Sequence, residues 1–224
     1  MGGPTVVPVQ AVQLTRTAAA RRGLLLEGAS AAWMLVEAVL AVGAGVAARS
    51  VLLTAFGFDS VIELVSAALL IWRLSREARG GDLGVLERIE GQATKVSAVL
   101  LVVLCLYVVT TSIAGLVAHV EPEGSLLGIA VAAAAVMVMP ALAVGKRRVN
   151  AVLNSAALKA DIAETAVCAW MAGTVLVGVA LTTAFGWWWA EYVAAVGLLY
   201  WLVGETREAV EAAREGRAQG CDDD

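Results

Sequence analysis

Residues 57–74, GFDSVIELVSAALLIWRL, are apolar enough to lie in a membrane, yet they carry Asp59 and Glu63. Four residues apart on a helix, these two side chains share one face. A charge at the bilayer centre costs roughly 2.5 to 3.5 kcal/mol even on the most lenient scale. Such a pair therefore needs a partner, a cavity or a pathway. How that cost is met bears on both fold and function.

The composition supports a membrane setting. The chain has 224 residues, 60% of them hydrophobic and 16% charged. Soluble domains run nearer 45–50% apolar and about 25% charged. A bilayer core about 30 Å thick takes roughly 20 mostly apolar residues as a helix. Six stretches qualify, at about 28–48, 52–72, 96–118, 125–144, 160–183 and 187–204. In lipid the backbone must satisfy its own hydrogen bonds, which makes them helices. The alternation of a membrane β-barrel is absent. The fold class expected is an all-α integral membrane protein with six transmembrane helices.

Orientation follows from the basic residues. With both termini cytoplasmic, the inner segments hold every one of the 16 lysines and arginines except Arg49. That is the positive-inside pattern; arginine outnumbering lysine, with much alanine and glycine, hints at a bacterial origin, and a bacterial cell membrane is the expected location. The expected organisation is a cytoplasmic segment over 1–23, a six-helix transmembrane domain over 24–204 and a short tail over 205–224. The inner connector RLSREARGGDLGVLERIEGQATK breaks at Gly80–Gly81 and then leads by a short helix into the third span. The tail begins as a charged extension of span six and ends in acidic Asp222 to Asp224, read as disordered. The opening residues show no cleavable signal. Cys105, Cys168 and Cys221 form no CxxC pair, so neither a disulfide framework nor a zinc knuckle is indicated. No catalytic motif is present and the one histidine, His119, reads as interfacial, so an enzyme is not expected. Nor is a nucleic-acid partner.

Acidic residues recur inside the apolar runs: Glu37 in span one, Asp59 and Glu63 in span two, Asp161 and Glu164 early in span five. In KADIAETAVC, Asp161, Glu164, Thr165 and Cys168 follow the i, i+3, i+4, i+7 stripe of one helix face. If this stripe meets that of span two, four carboxylates converge with a hydroxyl and a thiol beside them. Like charges that close cannot all remain ionised without protons or a cation among them. A divalent cation would satisfy them, and proton return through the same groups would give exchange. Plainer readings stand beside this one. Asp59 and Glu63 could pair with Lys159 or an arginine, and Asp161 and Glu164 could simply favour a helix N-terminus. Glu37 suits a pathway or a structural hydrogen bond equally, and Thr165 and Cys168 could be packing residues.

These motifs resemble the cation diffusion facilitator family of metal–proton antiporters. SVLLTAFGFDSVIEL follows that family's run into an Asp-Ser-x-x-Asp core, with Asp59 and Glu63 at the two ligand positions. GWWWAEYVAAV is similar to the family's Trp-x-Asp-Pro opening of span six, with Glu191 and Tyr192 replacing Asp-Pro. The family's His-x-x-x-Asp of span five maps onto Asp161 and Thr165, with Glu164 a candidate to supply the missing carboxylate. The resemblance implies export of a divalent transition metal from the cytoplasm in exchange for protons. Its site would be Asp59, Glu63, Asp161 and Glu164, with Thr165, Cys168 and Glu37 accessory. The metal would be substrate, not cofactor. Zinc leads by family precedent and by Cys168; an all-oxygen site would suit manganese or magnesium, and iron or cobalt also fit the class. The family's large C-terminal cytoplasmic domain is not expected here, which leaves any homodimer to membrane helices. A non-transporting membrane sensor or assembly protein and a proton-driven small-cation exporter remain the alternative readings.

Overall fold

The turns after α1, α3 and α5, at the end of the bundle away from the termini, are built by helix-ending chemistry. α1 (Val9–Ala47) closes through Ala48 N to Ala44 O at 2.9 Å and Ser50 N to Gly45 O at 2.8 Å, with Arg49 left-handed at φ 54. Ser50 then caps α2 (Val51–Glu77), its hydroxyl accepting from Leu53 N at 3.2 Å. α3 (Leu83–Val117) ends the same way, with His119 at φ 50, and Ser125 caps α4 (Leu126–Leu153) by accepting from Gly128 N at 3.0 Å. Gly186, at φ 66, turns α5 (Ala156–Phe185) into α6 (Trp188–Glu215). This computed structural model describes residues 9–77, 83–153 and 156–215. The glycine break at 80–81, Cys221 and the acidic end lie outside the described residues.

The helices close a ring. α1 packs on α2 and α4, α5 on α4 and α6, and α3 on α2 and α6. α2 also reaches across to α5, so the acid pair of the quoted stretch faces span five. Gly57, two residues before Asp59, sits where an added Cβ would lie 2.7 Å from the Val42 backbone nitrogen. Only glycine lets α1 and α2 approach that closely there.

Burial is inverted relative to a soluble protein. Lys146, Glu37, Glu191 and Asp59 are at most 3% exposed, whereas Val117, Leu126 and Tyr200 are 76–78% exposed. Apolar side chains outside and charged ones inside belong to a protein whose solvent is lipid. Among the described residues, four helices carry a segment long and apolar enough to cross a membrane: Arg21–Ala47, Lys95–Val117, Leu126–Val152 and Asp161–Phe185. The other two stretches expected to span, 52–72 and 187–204, lie within helices α2 and α6, which complete the ring.

Candidate metal-transport site

The two faces expected to meet do so, through one edge of the span-five stripe. From α2, Asp59 and Glu63 point into the bundle, 3% and 8% exposed. From α5, Cys168 donates its thiol to Glu63 Oε1 at 2.7 Å and to the Glu164 carbonyl at 3.1 Å. Asp59 lies within electrostatic reach of Glu164, and Glu63 within reach of Asp59 and Glu164. Asp59 Oδ1 is buried with no hydrogen-bond partner among the described residues. Glu164 and Cys168 repeat on α5 the four-residue spacing of Asp59 and Glu63 on α2. Three of the four groups are buried, and Glu164 is exposed, marking the open side of the cluster.

The other edge of the stripe is used differently. Lys146, on α4 and wholly buried, donates to Asp161 Oδ1 at 2.9 Å and forms an ion pair with its Oδ2 at 2.7 Å. It also donates to Glu27 Oε2 on α1 at 3.2 Å and to Thr165 Oγ1 at 3.4 Å. Thr165 in turn donates to the Asp161 carbonyl at 2.8 Å. Asp161 and Thr165, the pair onto which the family pattern was mapped, thus gather on a lysine. Lys159 is exposed and takes no part.

Glu37 has both oxygens satisfied on neighbouring helix faces. Oε2 accepts from Trp33 Nε1 at 2.7 Å and Oε1 from Ser60 at 2.7 Å. Its hydrogen bonding favours the structural reading, although it remains within reach of Asp59. Beside Cys168 lie Met34 and Met139, buried from α1 and α4. Toward the end of the bundle away from the termini, Glu191 accepts from Ser50, Tyr192 donates to the Val120 carbonyl at 2.8 Å, and exposed Arg49 pairs with Glu123. His119 is exposed against Trp188, its ring 5.8 Å away.

Two residues of this arrangement escaped the sequence reading. Lys146 was counted with the inner loop, yet it continues the buried α4 stripe Ala132, Ala135, Met139, Ala143, Val149 at steps of three and four. Glu205 was assigned to the tail, but it continues the α6 stripe Leu198, Leu202, Ala209. It lies half-buried within reach of Asp59 and Glu164, with Oε1 lacking a partner among the described residues.

Inside the ring of helices Glu63 and Cys168 meet beside Asp59, and among the described residues no three acidic, cysteine or histidine side chains stand close enough to hold a metal ion as they are placed. The cation efflux transmembrane domain matches residues 28–215, and the chain belongs to that family. It is a multi-pass membrane protein whose domain moves cations. A search among curated proteins gave no match.

Proposed function

We propose that this protein exports a divalent transition metal, zinc foremost, from the cytoplasm in exchange for protons. All six helices would span the membrane, with both termini cytoplasmic. The ligands would be Asp59 and Glu63 from α2 and Glu164 and Cys168 from α5. The observation that carries this reading is the Cys168–Glu63 contact at 2.7 Å, with the unpartnered Asp59 oxygen in the same cluster. Asp161, first expected among the ligands, is held by Lys146, so the α5 contribution shifts to the other edge of the stripe.

The chemistry follows from the donor set. Carboxylates and a thiol bind metal only after shedding their protons. One divalent ion arriving from the cytoplasm would displace two protons from the set Asp59, Glu63, Glu164 and Cys168, and two protons arriving from outside would displace the metal. Each exchange keeps the buried charge near balance, which is the condition for moving the site past a low-dielectric barrier. A thiol among oxygens selects zinc and its neighbours over magnesium. Exposed Glu208, half-buried Glu205 and Glu164 would form an inner approach, since each lies within electrostatic reach of the next. The metal is substrate and no enzymatic step is required of the chain. A homodimer through membrane helices, in a bacterial cell membrane, completes the reading.

The test is zinc flux into proteoliposomes under a pH gradient. Flux should vanish in Asp59→Asn and in Glu164→Gln, with both variants retaining helical content by circular dichroism. Wild-type-like flux in both would sink the site.

A further inference from the structure

Where the lower half of α1 crosses the end of α4, the bundle opens a groove of about 750 Å³. Its floor is apolar: Leu26, Val149 and Gly145, with Leu25 and Val152 at its edges. Arg22 from α1 and Arg148 from α4 also line it, and both are exposed. Neither pairs with a carboxylate among the described residues, unlike Arg49 with Glu123 or Lys146 with Asp161 and Glu27. An apolar trough carrying two unpaired guanidiniums is complementary to a molecule with one anionic head and hydrocarbon tails.

We propose that this groove is a binding site for an anionic phospholipid of the inner leaflet. The guanidinium fork matches a phosphate in geometry and charge, each arginine able to give two parallel hydrogen bonds. The floor takes an acyl chain, for which a soluble anion has no counterpart. Basic pockets between membrane helices on the cytoplasmic side suit such headgroups, and the proposed orientation puts both arginines there. A zwitterionic lipid carries its own cation, which would repel the same arginines. The groove shares no residue with the metal site, so the inference stands apart from the transport reading; only the choice of leaflet depends on the proposed orientation. Lipid seated there would brace α1 against α4, the two helices that Lys146 joins one turn away.

Native mass spectrometry of the purified protein in detergent tests this, with phosphatidylglycerol and phosphatidylcholine of equal chain length as probes. Phosphatidylglycerol should be retained several-fold more than phosphatidylcholine. At about a kcal/mol for each arginine near a headgroup, the double variant Arg22→Gln/Arg148→Gln should lose roughly tenfold or more of that binding. The control Arg21→Gln/Arg147→Gln removes the same charge from the same helices outside the groove and should lose less than about twofold. Equal retention of the two lipids by the wild type overturns the site without any variant being needed. Equal losses in the two double variants overturn it in favour of a diffuse basic field. Displacement of phosphatidylglycerol by millimolar glycerol phosphate overturns it in favour of a free-phosphate site.

Discussion

Asp59 and Asp161 are aspartates on inward-facing helix stripes of the same bundle, yet their surroundings are opposite. Asp161 is gripped by a tethered cation, Lys146 Nζ, at 2.7 Å. Asp59 has no ion-pair partner among the described residues, one unpartnered oxygen, and two acids, Glu164 and Glu37, within electrostatic reach. The difference separates structure from transport. A carboxylate whose counter-charge is built into the chain is already offset; one whose counter-charge is missing is offset only by something that arrives. In the proposed transport the charge arriving on α2 would be a metal ion or a proton, and on α5 the two edges of one stripe would divide the two roles.

The largest expected effect falls on the uncompensated side. Asp59→Asn should reduce zinc flux by about 100-fold or more, because a neutral amide binds metal weakly and carries no exchangeable proton. The same change should leave thermal stability unchanged or raise it, since it removes a buried charge without a partner. Asp161→Asn should instead lower stability, by leaving Lys146 with less counter-charge. If heating curves in detergent move Asp59→Asn and Asp161→Asn in the same direction, the contrast between the two acids is broken.

Lys146→Met attacks the compensated side from its cation. It leaves Asp161 and Glu27 facing each other across α1, α4 and α5, at a cost of about 3–5 kcal/mol. The observable is inactivation rate on heating. Adding Asp161→Asn and Glu27→Gln to Lys146→Met should recover most of the loss, because a neutral, similarly shaped core needs no ion pair. A triple variant as labile as the single one would mean that Lys146 acts by packing alone.

Next in size is the thiol. Cys168→Ser should weaken zinc binding by about 10- to 100-fold while changing manganese binding much less, as soft and hard donors differ in that sense. It should also flatten the pH dependence. Binding in the wild type should strengthen as pH rises, because the proposed ligands release protons to the metal. Without the thiol one fewer is released, so the slope of log affinity against pH should fall, as isothermal titration across pH 6–8 would read. An unchanged slope would remove Cys168 from the ligand set.

The positions of the helices were legible in the sequence because the turns after α1, α3 and α5 are encoded locally: Ser50, Ser125 and Gly186 stop or start helices just where the apolar runs do. The ends on the side of the termini were not legible in the same way. α1 starts at Val9, α2 runs to Glu77, α3 starts at Leu83 and α6 runs to Glu215, well outside the apolar limits. Segments rich in Ala, Arg, Glu and Leu keep forming helix after they leave the membrane, so hydropathy marks the bilayer and not the helix. The α2 pair was legible because a spacing of four leaves no choice of face. The α5 stripe was not. At 100° per residue, Asp161 with Thr165 and Glu164 with Cys168 have mean directions about 60° apart. Spacing alone does not say which of these edges turns to α2. The deciding residue was Lys146, whose place on the α4 stripe was hidden among the basic residues counted for orientation.

The smallest effect expected is the one that separates those edges most cleanly. Thr165 stands one residue after Glu164, and its hydroxyl is engaged by the Asp161 carbonyl at 2.8 Å and by Lys146 at 3.4 Å. Thr165→Val keeps the shape and removes only those contacts. One neutral hydrogen bond and one long contact to a lysine whose other partners persist are together worth about 1 kcal/mol. Stability should fall by that much, and zinc affinity should stay within about threefold of the wild type, since no ligand has been touched. Glu164→Gln is the neighbouring comparison: it loses a ligand and should cost affinity heavily while leaving the Lys146 network intact. A Thr165→Val protein that keeps its stability but loses zinc would reverse the two edges, returning Asp161 and Thr165 to the metal.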